Sequence, residues 1–283
     1  MPNGGWCAVR YFDASAWVGS WPFRPSGAAR TPAALERLLL AHGVEGACAA
    51  PLEPILAPDP MPANLAFLEA VRRRRGGRFR WVPAVIVDPT LEGGEADVRH
   101  CLELGARCLK VLPSYHLYAE VAVAAAASTP WVRPAAEAGH RALDALCALA
   151  ASSGVPVAVQ LRLQDERAQH PLMRVPGVPP ADVAALARGH PNTRFVACGA
   201  CLAELAALAP AGNVAVELSF VEGEDTLAQA VARVGAGRVL LGTHAPLHYV
   251  RAGLAKVEAA AGVTPEVRAA VGWGNAEALW GKP

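Results

Sequence analysis

The stretch "YFDASAWVGSWPF", residues 11–23, sets the terms for reading this chain. An apolar run leads into Asp13, and Gly19 follows. Taken with the residues just before it, the run predicts a buried strand, "AVRYFDAS" (8–15), that ends on polar side chains. Seven similar runs follow: "VEGACAAP" (44–51), "FRWVPAVIVDP" (79–89), "RCLKVLPS" (107–114), "VPVAVQLRL" (155–163), "RFVACGA" (194–200), "NVAVELSF" (213–220) and "RVLLGTHAP" (238–246). They are nearly continuous apolar runs, the pattern of a parallel sheet covered on both faces. Between them lie segments such as "PAALERLLLAHG" (32–43) and "TLAQAVARVGAG" (226–237), whose apolar residues recur three and four apart with Gly at several ends. Eight such units in 283 residues predict an α/β fold, a (β/α)8 TIM barrel, as a single domain over 1–283. An open doubly wound sheet is the alternative. No GxGxxG follows the first strand, which counts against a dinucleotide fold.

The composition is globular: 53% hydrophobic and 18% charged residues. A net charge of +1 gives no argument for nucleic acid or membrane partners. The basic run Arg72 to Arg75 ends a predicted helix and reads as a solvated terminus. Seven scattered cysteines do not suggest a disulfide-stapled secreted domain. The N-terminal residues lack a signal-peptide pattern, and no apolar run is long enough to span a bilayer, so a cytoplasmic location is the expectation.

Barrel chemistry is placed at strand C-terminal ends. Polar residues buried there need partners, because an unpaired polar group costs a few kcal/mol. The candidates are Asp13 and Ser15, Lys110, Gln160 and Arg162, Glu217 and Ser219, and His244. Pairs two apart on a strand share a face, so three strands are expected to send polar pairs into one pocket. Lys110 and Glu217 could instead form a structural ion pair, and His244 could be a satisfied core histidine or a general acid or base. The loop "QDERAQHPLM" (164–173) gathers Asp165, Glu166, Arg167 and His170. Turned inward, Asp165 and Arg167 would bind a polar or anionic substrate and orient His170; turned outward, they would pair with each other. Two connections, 119–138 and 164–179, are long enough to act as lids or binding loops. "CGAC" (198–201) lacks a second CxxC, and small residues at a barrel corner explain it as well as a redox or zinc role. The other cysteines, Cys7, Cys48, Cys101, Cys108 and Cys147, read as core residues. Tyr115, His116 and Tyr118, with Trp17, Trp21 and Trp131, could line the entrance.

The combination of "YFDASAWVG", "GARCLKVLPSYH", "GVPVAVQLRLQDERAQHPLM", "NVAVELSFVEG", "RVLLGTHAPLHYVRAGLAKVEAAAGV" and "GNAEALWG" resembles the amidohydrolase 2 family of the metal-dependent hydrolase superfamily, over essentially the whole chain. The resemblance implies a (β/α)8 barrel with hydrolase or decarboxylase chemistry. It also implies a divalent metal such as zinc, held by His-x-His on strand one, His on strands five and six, and Asp on strand eight. Those positions here hold Ser15 and Trp17, Gln160, Cys198 and His244. Trp cannot ligate a metal, and Ser and Gln are poor zinc ligands. The residues at these positions therefore argue against the metal that the resemblance implies, and no other cofactor is expected.

The resulting expectation is an enzyme acting on a small polar, carboxylated substrate. His244, Asp13, Glu217 and Asp165 would be catalytic. Lys110, Gln160, Arg162, Arg167, His170, His116 and Trp17 would bind substrate. The alternative is a non-catalytic barrel that binds a small molecule or protein partner. A homodimer is plausible.

Overall fold

The computed structural model describes residues 9–24, 29–74, 76–118 and 132–281. Eight parallel strands form one sheet in sequence order: β1 (Tyr11–Val18), β2 (Val44–Pro51), β3 (Arg80–Ile86), β4 (Cys108–Val111), β5 (Val157–Gln160), β6 (Phe195–Cys198), β7 (Val214–Glu217) and β8 (Val239–Leu240). Backbone bonds from Ala14 N to Leu241 O (2.8 Å), His244 N to Ser15 O (2.9 Å) and Trp17 N to Ala245 O (2.7 Å) join the last strand to the first and close the barrel. All eight predicted strands are present. Most stop earlier than expected, because the chain leaves the sheet once the polar residues of the mouth are reached.

Helices cover the outside: α1 (Pro32–Leu40), α2 (Met61–Arg72), α3 (Gly94–Glu103), α4 (Val132–Ser153), α5 (Pro180–Gly189), α6 (Leu205–Leu208), α7 (Thr226–Val234) and α8 (Val250–Glu258). The expected long loop 119–138 is therefore helical from Val132 onward; residues 119–131, with Trp131, lie outside the described residues, as does Cys7. The loop 164–179 contains only two short 3-10 turns. Thr31 starts α1 by accepting from Ala34 N, with Pro32 at the first helical position.

Strand alternation divides the apolar side chains into two layers. Leu109, Val111, Val157, Val159, Phe195, Ala197, Val214 and Val216 pack outward against the helices. Cys48, Val82, Ala84, Cys108, Ala158, Val196 and Cys198 fill the interior. In the same alternation, Lys110, Gln160 and Glu217 are the inward residues one step nearer the mouth. The opposite end of the barrel is plugged by α9 (Pro265–Ala269), a π-turn (Ala270–Gly274) and α10 (Asn275–Trp280). There Phe12 meets Trp273 edge-on at 5.8 Å, and Arg10 covers Trp273 at 3.7 Å.

β1 breaks its own alternation. Its register against β2 shifts between Asp13 and Ala16. Phe12 and Ala14 face the interior, and so does Trp17, which strict alternation would place on the other face. This local irregularity brings Trp17 into the mouth. No described helix is long and apolar enough to cross a membrane.

Candidate active site at the barrel mouth

Lys110 lies at the base of the mouth, 3% exposed. Its Nζ stands 3.9 Å from the centre of the Trp17 ring. No carboxylate among the described residues lies within ion-pair distance of it. The indole face offsets part of the cost of burying the ammonium, by up to about 2 kcal/mol when desolvated. One more polar atom at the strand ends is withheld from solvent with no partner, Gln160 Oε1, while the Ser15 hydroxyl stands within hydrogen-bonding reach of the Cys198 thiol. Gln160 is paired in register with Cys198. Burial pushes the Cys198 thiol up to about 12, and both Lys110 and Ser15 act on it.

Trp17 is fixed from behind. Its Nε1 donates to His244 Nδ1 at 3.1 Å. An indole N–H can only donate, so Nδ1 is the acceptor and Nε2 carries the imidazole proton, donating to Leu163 O at 2.8 Å. His244 is wholly buried and takes a left-handed backbone at φ 57°, a conformation that non-glycine residues adopt only when surroundings enforce it. Burial drives its pKa well below the usual histidine range, helped by neighbouring His248. Both nitrogens are occupied, so His244 is placed as a strut for Trp17 and is not open to a reacting atom. The sequence expectation of His244 as a general acid or base does not match this geometry.

The buried carboxylates are also engaged. Asp13 accepts from Ser15 N (3.0 Å), Thr243 N (2.9 Å) and Thr243 Oγ1, locking β1 to the end of β8. Burial raises its carboxyl to about 6 against these bonds. Glu217 accepts from Gly199 N (2.6 Å), Ser219 N (2.6 Å) and Ser219 Oγ (2.7 Å). It forms no ion pair with Lys110, because its oxygens are already satisfied beside β6. A side chain at Gly242 would collide with this carboxylate.

Other expected site residues are placed elsewhere. Arg162 lies beyond the end of β5 and forks onto Glu204 at 2.5 and 2.7 Å while donating to Gly199 O at 2.6 Å, so it ties the β5 and β6 loops together. Asp165 and Arg167 pair with each other at the surface, at 2.6 Å. His170 is exposed and caps a turn by accepting from Leu172 N. The Asp165–Arg167 pair therefore forms no hydrogen bond with His170, which bonds within its own turn. His116 stands on the β4 loop near Asp88 and Tyr118, its pKa lowered by burial. Cys201 sits against Arg162 and Glu204, and among the described residues it belongs to no cluster that could hold a metal ion.

One residue near the site was not singled out from the sequence. His248 is half-buried, with its ring 4.9 Å from His244 and 4.7 Å from Phe220. Burial lowers its pKa to about 4, so it is a neutral imidazole at pH 7. The spacing "HAPLH" (244–248) was the available signal: two histidines four apart.

The profile of the amidohydrolase family matches residues 13–282. The chain belongs to this family. Its barrel is similar to that of 2,6-dihydroxybenzoate decarboxylase complexed with 2,6-dihydroxybenzoate (TM-score 0.66, 16% identity, covering 96% of this chain and 99% of that one). It is also similar to 5-carboxyvanillate decarboxylase from Sphingomonas paucimobilis (TM-score 0.67, 12% identity, 96% and 99% covered). A third is a dihydroxybenzoic acid decarboxylase from Polaromonas sp. JS666 with bound manganese and 2-nitroresorcinol (TM-score 0.63, 14% identity, 96% and 97% covered). No curated protein matches the chain in sequence. At these identities the likeness establishes the fold.

Among the described residues, no three His, Cys, Asp or Glu side chains gather to hold a metal ion. Trp17 and His244 bond to each other, and an ammonium already occupies the cluster.

Proposed function

We propose that this amidohydrolase-family chain is an enzyme that takes a small carboxylated substrate into the barrel mouth without the family's metal set. The observation that carries this reading is Lys110. A buried ammonium costs several kcal/mol, and the Trp17 face returns only part of it. With no carboxylate within ion-pair distance among the described residues, a substrate carboxylate is the natural counter-charge. Gln160 Oε1, which has no partner, supplies spare hydrogen-bonding capacity at the end of β5. A fixed cation in a dry pocket also stabilises negative charge developing in a transition state.

For proton transfer, His248 replaces His244 in this reading. A neutral imidazole accepts a proton. That suits hydrolysis, where a base takes the proton of an attacking water, better than decarboxylation, where an acid must protonate a carbanion. Asp13 and Glu217 hold the mouth in shape.

A second reading, a binding barrel without turnover, is favoured by one observation: Asp13, Glu217 and His244 are all fully engaged. Calorimetry with benzoate and small aliphatic carboxylates, beside turnover assays on carboxylated esters, amides and lactones, separates the two. Binding that disappears in Lys110→Met, with turnover that falls in His248→Asn, is the expected result. Binding without turnover selects the second reading. Carboxylate binding that survives Lys110→Met would rule out the site.

A further inference from the structure

A cavity of about 360 Å³ lies outside the barrel wall, between β5 and the helices α4 and α5. Among the described residues its walls are mainly apolar: Leu143 of α4, Val159 of β5, Val178, and Val183 and Leu186 of α5. Val159 belongs to the layer that packs outward, and Gln160 beside it takes the inner face. The barrel wall therefore separates this cavity from Lys110. His190 ties the two helices together by bonding to Asp144 at 2.9 Å, and Thr193 Oγ1 donates to Cys147 O at 2.9 Å. Asp144, its side chain 61% exposed, also lines the cavity, which reaches solvent there.

Native cores are close-packed and keep few voids larger than a water molecule. This volume instead falls in the range of small-molecule pockets, about 300–1,000 Å³. Tyr118 lines the cavity as well. It is 2% exposed, and its hydroxyl has no hydrogen-bond partner. A buried hydroxyl without a partner is uncommon and calls for one. Burial raises its pKa well above the usual tyrosine value, so the phenol keeps its proton and can donate. The two carboxylates of the lining make no such call. Asp144 is held by His190, and Asp182 has an interaction of its own. An acid would be repelled by both, and neither lacks a partner that a cation would supply.

We propose that the cavity between α4 and α5 is a second binding site, for a small neutral apolar molecule carrying one carbonyl or hydroxyl oxygen. The carbon body fills the space between Val159, Val183 and Leu186, and the oxygen accepts from the Tyr118 hydroxyl. The site is separate from the mouth and does not depend on the role of Lys110.

Ligand-observed NMR titration of the full chain tests it with two pairs of matched shape: cyclohexanone against methylenecyclohexane, and camphenilone against camphene. At least one ketone is expected to bind. Its affinity relative to its alkene should fall roughly three- to tenfold in Tyr118→Phe, the value of one net hydrogen bond. An unchanged ratio in that variant would overturn the proposal. Val183→Trp, which fills the cavity, should abolish binding, and Lys110→Met should bind as the wild-type chain does. Binding that survives Val183→Trp, or that is lost in Lys110→Met, would put the ligand elsewhere and overturn the proposal too. Tighter binding of cyclohexylamine or cyclohexanecarboxylate than of cyclohexanone would overturn the neutral class. Failure of the wild-type chain to bind either ketone would overturn the site itself, whatever the variants do.

Discussion

Trp17 Nε1 donates to His244 Nδ1 across 3.1 Å, joining the first and last strands of the barrel inside its mouth. The bond fixes the tautomer of His244 and directs its other nitrogen to Leu163 O. It also holds the indole face on which Lys110 rests. Removing the imidazole orphans a buried indole N–H and a buried carbonyl. His244→Ala is therefore expected to lose about 2–4 kcal/mol of stability. Urea denaturation of the variant checks this, and a loss under about 0.5 kcal/mol would show that the strut is dispensable.

Acid should weaken the fold through the histidine pair. Both imidazoles are held neutral in the folded chain, His248 with a pKa near 4 and His244 well below its usual value. The unfolded chain takes protons near pH 6.5, so acidification from 6.5 toward 4 favours unfolding. Asp13 opposes this. Its folded carboxyl protonates near 6 against 3.8 unfolded, so its contribution grows as pH falls through that window and is absent above it. Two histidines outweigh one carboxyl, and the net slope is a loss. His248→Asn should flatten the fall in urea midpoint between pH 6.5 and pH 4.5, relative to the wild-type chain; parallel curves would contradict the assignment.

Gly242 leaves room for a carboxylate. A methyl group there would strike Glu217, whose oxygens are held by Gly199 and Ser219 and cannot move freely. Gly242→Ala should cost roughly 1–3 kcal/mol or more through overpacking. Glu217→Gln should cost about 1–3 kcal/mol, because an amide NH2 would then face backbone and hydroxyl donors. Thermal melts of the two variants give the comparison, and wild-type melting of both would refute this packing argument.

Asp165 and Arg167 provide the contrast. They form an exposed pair on a surface loop, with side chains 38% and 82% accessible. Arg167→Ala should change stability by under about 1 kcal/mol and leave the carboxylate binding proposed at Lys110 unaltered. A clear loss of affinity in that variant would mean that the loop folds inward over the ligand.

Added manganese or zinc should not raise the melting temperature of protein purified without a metal-affinity tag, because a ligand that binds only the folded state stabilises it by mass action. Near-stoichiometric metal on elemental analysis, with a rise in melting temperature, would reverse the reading of the ligand positions.

The strands and their order were legible in the sequence because the barrel rule is local. Apolar runs alternate with three-to-four periodic segments, and each adjacent pair closes one unit. That Lys110 and Gln160 would be buried polar side chains at strand ends was legible as well, since each lies inside an apolar run. What the polar residues bond to was not legible. Asp13 and Ser15 were expected to share a face with the pocket, but Asp13 alternates with the inward Phe12 and Ala14 and bonds to Thr243, and the shift after it brings Trp17 inward. Arg162, two residues after Gln160, was expected to follow it inward, but Glu204 lies 42 residues away in sequence and draws it aside.

The sequence by itself determined a (β/α)8 barrel and the set of polar side chains at its mouth. Periodicity and burial are properties of each segment alone. Only the tertiary structure decided which of those side chains are already satisfied. Partners such as Trp17 and His244, 227 residues apart, meet only when the barrel closes. A hydrogen bond or a buried charge is settled by what stands opposite it, and no window of sequence contains that.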